Sequence, residues 1–157
     1  MKLVCLNVYG GMLFGPLADF IKQHADADFF CFQEILMDKS GLEFAKKFRP
    51  NLLREMKSLL PGFRIFFVEA DDNFGHAIFV NSRHSVDRFG SEMIMEGKDP
   101  VVYPESDLCR IVQSCKIGDL TIFNFHGIST WPKEDTPERI VQSKRLLKYI
   151  DRFQGKL

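Results

Sequence analysis

Phe29-Phe30-Cys31-Phe32-Gln33-Glu34 is the stretch whose reading decides the fold. Four apolar residues in a row, without alternation and without glycine or proline, describe a strand buried on both faces, as in a sheet covered by helices. The run ends abruptly on a polar pair. An upstream run, Leu3-Val4-Cys5-Leu6-Asn7-Val8, breaks in the same way at Asn7, and between the two Gly15-Pro16 opens a segment of helical character. The order strand, helix, strand is that of an α/β layer. Ligands of such sheets collect outside the carboxyl ends of parallel strands, so Asn7 and Glu34 are two polar groups able to converge on one metal ion or phosphate. A carboxylate is costly to bury there unless it is paired or holds a cation.

Farther along, Leu52, Leu53, Met56, Leu59 and Leu60 recur at helical spacing within a charged segment spanning 42–60; Pro50 fits the entry to its second part and Pro61-Gly62 stops it. Strand-like runs follow at 63–68 and 76–80, joined by a loop carrying Asp71, Asp72 and Asn73. Residues 83–107 read as a strand and then a long loop. Two further runs, 110–117 and 120–125, flank Gly118-Asp119, a pair suited to a type II′ hairpin. The last segment, from Asp135 or Thr136 to about Phe153, reads as a helix with Pro137 at its first position and Ile140, Leu147 and Ile150 on one face. No repeat or linker divides the chain, so 1–157 reads as one α/β domain.

Composition narrows the function. Sixteen Phe and a 45% hydrophobic fraction indicate a globular core, and Lys+Arg equals Asp+Glu at 21 each, so no overall field draws in nucleic acid or an acidic membrane. No apolar run approaches the roughly 20 residues of a membrane span, and the N-terminal stretch is too short for a signal-peptide core. Cys5, Cys31, Cys109 and Cys115 sit in apolar runs without Cys-x-x-Cys spacing. They read as reduced thiols of a cytoplasmic protein rather than a zinc or redox site.

Three short motifs carry the chemistry. Gln33-Glu34 and Asn7 supply a carboxylate and an amide oxygen, a hard donor set suited to Mg²⁺ or Mn²⁺ with open water positions. Thr121-Ile122-Phe123-Asn124-Phe125-His126 closes a strand with Asn124 and His126 on one face. Asp135 and Thr136 cap a helix carrying Arg139 and Gln142, and Trp131 sits in the loop before it. Arg110 and Gln113 fall on opposite faces of their strand, so they do not share a site.

Together these motifs resemble the endonuclease/exonuclease/phosphatase superfamily, the deoxyribonuclease I-like magnesium phosphoesterases. The resemblance implies a mixed β-sheet with flanking helices, half of a four-layer α/β sandwich. It implies Glu34 and Asn7 as metal ligands, and His126 as the group that binds the scissile phosphate and stabilises its transition state by hydrogen bonding. Asn124 and Trp131 are then substrate-binding candidates. The superfamily completes its site with an Asp-x-Asn motif on a strand beyond this last helix and with a terminal Asp-His pair; neither is found there. The expectation is an N-terminal half, incomplete at the C-terminus, carrying half an active site. Its parent reaction is hydrolysis of a phosphodiester or phosphomonoester, with a phosphorylated small molecule or short nucleic acid as substrate, because balanced charge does not suit backbone binding to long duplexes. The alternative is an inactive half-domain serving as a binding or assembly module. Either way the half is expected to supply one sheet of the sandwich, with its inner face covered by a second copy or by a separate C-terminal half.

Overall fold

The computed structural model describes residues 1–36, 47–70, 74–95, 98–99, 103–107, 110–128 and 134–153. In chain order its elements are β1 (Leu3–Asn7), α1 (Phe14–Gln23), β2 (Phe29–Leu36), α2 (Leu52–Leu59), β3 (Phe63–Glu69), β4 (Phe74–Asn81), β5 (Arg88–Met95), β6 (Lys98–Asp99), β7 (Tyr103–Asp107), β8 (Arg110–Ile117), β9 (Leu120–Phe125) and α3 (Pro137–Ile150). One sheet runs β1-β2-β4-β3, with β1 and β2 parallel and the rest antiparallel; a second runs β5-β8-β9, and β6 pairs with β7 alone. The long loop expected within 83–107 therefore contains a strand pair. Asp71, Asp72 and Asn73 lie outside the described residues.

Three clusters of buried side chains define four layers. Phe30, Phe32 and Ile35 of β2 and Phe79 of β4 pack against Leu17 and Ile21 of α1 and Leu52 and Met56 of α2. Phe29 and Cys31 of β2 with Ile78 and Val80 of β4 meet Cys115 of β8 and Ile122 of β9 between the sheets. Ile94 of β5, Val112 of β8 and Tyr149 of α3 close the far side. Each Phe or Ile so buried contributes about 1.5–3 kcal/mol, which is why the apolar runs place the layers. The chain thus builds parts of both sheets. The expectation that it supplies only one is corrected: the inner face of β2 and β4 is covered by the chain's own β8 and β9.

Local chemistry sets the element ends. Thr136 caps α3 by accepting from the Arg139 amide, and Pro137 takes the first turn. Gly118 has φ +56° and Ile117 pairs with Leu120, the two-residue hairpin expected at Gly118-Asp119. At the amino ends of the strands Asp28 accepts hydrogen bonds from the Lys2 amide and Arg83 and pairs with His84, which pin β1, β2 and the turn after β4 together. Among the described residues no helix is long and apolar enough to cross a membrane.

Candidate active site

The carboxyl ends of β1 and β2 lie side by side, with Asn7 in register with Gln33. What happens next on β2 decides where Glu34 goes. Phe29, Cys31 and Gln33 face the second sheet, whereas Phe30 and Phe32 face the helices. Strict alternation sends Glu34 to the helix side, away from His126. Instead the β2–β4 register shifts between Phe32 and Ile35, and Glu34 has φ +56°. Ile35 resumes the helix-facing row, so Glu34 is the extra residue of a β-bulge. Left-handed backbone is rare for a residue bearing a side chain, and here it turns the carboxylate to the edge of the sheet, where Glu34 Oε1 lies 3.6 Å from His126 Nε2. Both side chains remain reachable, at 27% and 33% exposed.

Asn7 sits at the neighbouring strand end. Its Oδ1 accepts a hydrogen bond from the Tyr9 amide at 2.8 Å, and the Val8 amide donates to the Gln33 carbonyl at 3.0 Å. An amide oxygen has two lone pairs, so one remains for a cation. Glu34 and Asn7 thus fit the hard-donor chemistry of Mg²⁺, which binds through one or two carboxylates and keeps several waters. Among the described residues no three His, Cys, Asp or Glu side chains group closely enough to hold a metal ion by themselves.

Asn124, the substrate-binding candidate, lies between the two sheets. Its side chain is buried, accepting from Gln33 Nε2 at 2.6 Å and donating toward the Phe32 and Ala77 carbonyls and Gln113 Oε1. Its amide hydrogens are engaged by protein groups, and through these bonds Asn124 bridges the two sheets at the base of the site. Gln113 extends the bridge by donating to the Phe66 carbonyl. Gln142 braces the segment after β9 by accepting from the Ile128 amide. Trp131 lies outside the described residues.

Sequence reading missed His76. It projects from β4, is 3% exposed, and its ring stands edge-on to His126 with centroids 6.0 Å apart. Burial first, then the neighbouring charges of His126 and Arg110, pushes its pKa down to about 3, so it is neutral at ordinary pH. Its Nδ1 has no hydrogen-bond partner among the described residues. The available signal was its place two residues into a buried strand after Gly75, which reads equally well as a packed core residue. Arg110, buried at the start of β8, is close enough for its charge to act on that ring.

No protein-family model matches this chain, and no curated protein matches it. Solved structures do. TDP2 of D. rerio, in complex with a single-strand DNA product, is 13% identical with a TM-score of 0.64, over 98% of this chain and 55% of its own. ANGEL2, a 2′,3′-cyclic phosphatase, is 18% identical with a TM-score of 0.58, over 93% and 39%. An endonuclease/exonuclease/phosphatase of Beutenbergia cavernae is 12% identical with a TM-score of 0.57, over 99% and 43%. The chain has the deoxyribonuclease I-like fold of the endonuclease/exonuclease/phosphatase superfamily. It spans about half the length of these neighbours or somewhat less.

Proposed function

We propose that this chain carries the Asn7–Glu34–His126 portion of a metal-dependent phosphoesterase site, acting on a phosphodiester or phosphomonoester of a small molecule or short nucleic acid. One observation carries the reading: the bulge at Glu34, which brings its carboxylate to His126 beside the end of β1 instead of leaving it on the helix side. The neighbours' fold supports it at the level of phosphoester chemistry. Glu34 and Asn7 would hold Mg²⁺ or Mn²⁺, which when bound stabilises charge developing on phosphoryl oxygens. His126, whose Nε2 lies 3.6 Å from Glu34 Oε1, would donate a hydrogen bond to the phosphate. Cys31 and Cys115 are free and buried, and burial pushes their thiols up to about 12 and about 11, which keeps them out of the chemistry.

The test is Mn²⁺ binding by electron paramagnetic resonance, together with Mg²⁺-dependent hydrolysis of bis(p-nitrophenyl) phosphate by the chain with and without a supplied C-terminal half. Glu34→Gln should weaken Mn²⁺ binding at least about tenfold, since it keeps the shape and removes the charge the cation needs. Unchanged binding sinks the metal assignment. A second reading is a half-domain that binds or assembles without hydrolysis. Metal binding that never leads to turnover, even with the second half present, would select it.

A further inference from the structure

Immediately beyond Asn7 the chain holds a conformation that its sequence does not favour. Tyr9 has φ +47° and is followed by Gly10 at +57° and Gly11 at +76°. Glycine explains its own two positions: a Cβ on Gly10 would lie 2.3 Å from the Phe48 ring, and one on Gly11 would lie 2.9 Å from Arg49 and Leu52. Tyr9 has no such explanation. A bulky residue at positive φ is an outlier, and a glycine or asparagine would form the same turn more easily. Nor does burial offset the cost, because Tyr9 is 56% exposed. Its ring meets Phe48 only edge-on, at 6.4 Å between centroids and 89° between planes.

The turn is nonetheless firmly held. The Tyr9 amide donates to Asn7 Oδ1, the Val8 amide to the Gln33 carbonyl, and the Arg49 amide to the Gly10 carbonyl. These bonds tie an exposed aromatic ring to the two strand ends that bear Asn7 and Glu34. Strain retained without a packing reward is characteristic of functional positions, and an exposed ring two residues beyond Asn7, on backbone bonded to that side chain, suits a flat heterocycle. We infer that Tyr9 is a stacking platform for the base of a nucleotide whose phosphate occupies the Glu34–His126 site. This specificity role rests on the phosphoesterase reading above and selects, within it, nucleotide over plain sugar phosphate.

Calorimetric titration in Mg²⁺ with 5′-AMP and with ribose 5-phosphate tests it, the two probes sharing a phosphate and differing in the base. Tyr9→Gly, which removes the ring and the strain together, should weaken 5′-AMP about tenfold and leave ribose 5-phosphate unchanged. Tyr9→Phe should retain both affinities, because stacking needs the ring and not the hydroxyl. Equal losses for both probes, no loss for either, or no 5′-AMP binding by the unmodified chain at millimolar concentration would each overturn the platform. The phosphate reading fails separately: His126→Leu would then leave ribose 5-phosphate binding unaltered whatever Tyr9 does.

Discussion

Glu34 adopts a backbone conformation that opposes stability in order to aim a carboxylate. Relieving it should therefore separate stability from function. Glu34→Gly is expected to raise the unfolding free energy by about 1 kcal/mol in urea titrations, because left-handed backbone costs a side-chain-bearing residue about 1–2 kcal/mol and glycine little, less glycine's greater entropy when unfolded. The same change removes the carboxylate, so activity in any complete form of the protein should be lost. A marked loss of stability would show that the side chain, not the backbone, holds the bulge. His76 makes a second prediction. Its folded pKa is depressed to about 3 from an ordinary 6.5, so above 6.5 it costs nothing, and as pH falls from there toward 3 the unfolded chain takes up a proton that the folded one refuses. Stability should decline across that window. His76→Asn should lose less stability than the parent between pH 7 and pH 4.5, and equal losses would place the acid sensitivity elsewhere.

At the scale of elements, α3 is where sequence reading met its clearest correction. Ile140, Leu147 and Ile150 share a helical face, yet Ile140 and Leu147 are exposed, Leu147 by 60%. The face turned inward is Gln142, Leu146, Tyr149 and, one turn beyond the helix, Phe153. Tyr149 decides this. Its ring packs against Phe123 and Phe153, and its hydroxyl lies 2.8 Å from the Ser114 hydroxyl of β8. Aromatic area and a buried hydrogen bond outweigh two aliphatic side chains, and a periodicity argument that ranks Leu above Tyr selects the wrong stripe. Tyr149→Phe should cost about 1 kcal/mol by removing its hydrogen bond with Ser114, whereas Leu147→Gln should fall within about 0.5 kcal/mol of the parent in the same denaturation assay. Strands fared better: 110–117 and 120–125 match β8 and β9 to the residue, because a two-residue glycine turn fixes the register of both.

Across the whole molecule the two sheets do not cover each other fully. Among the described residues β1 and β9 are edge strands, and on β1 the residues facing the second sheet, Leu3, Cys5 and Asn7, are exposed, Leu3 by 49%. An open edge with an uncovered apolar row is a template for further strands. The chain is therefore expected to self-associate at micromolar concentration in sedimentation velocity through this edge, and Leu3→Glu should shift it toward monomer. A monomer that binds no hydrophobic dye would mean the uncovered row is tolerated.

The sequence by itself determined what depends on near neighbours in the chain. Unbroken apolar runs made buried strands, Gly118-Asp119 made a hairpin, Thr136-Pro137 started a helix, and polar residues at strand ends marked Asn7, Glu34 and His126 as a candidate site. Tertiary structure decided what depends on distant ones. Gln33 and Asn124 are 91 residues apart, and only the packing of two sheets makes the second a buried bridge between them. His76 became part of the site through β4 lying beside β2, and Glu34 reached His126 through one extra residue in a strand whose partner does not match it. Alternation is a local rule and a bulge is an agreement between two strands, so the carboxylate's residue type was legible in the chain and its direction was not.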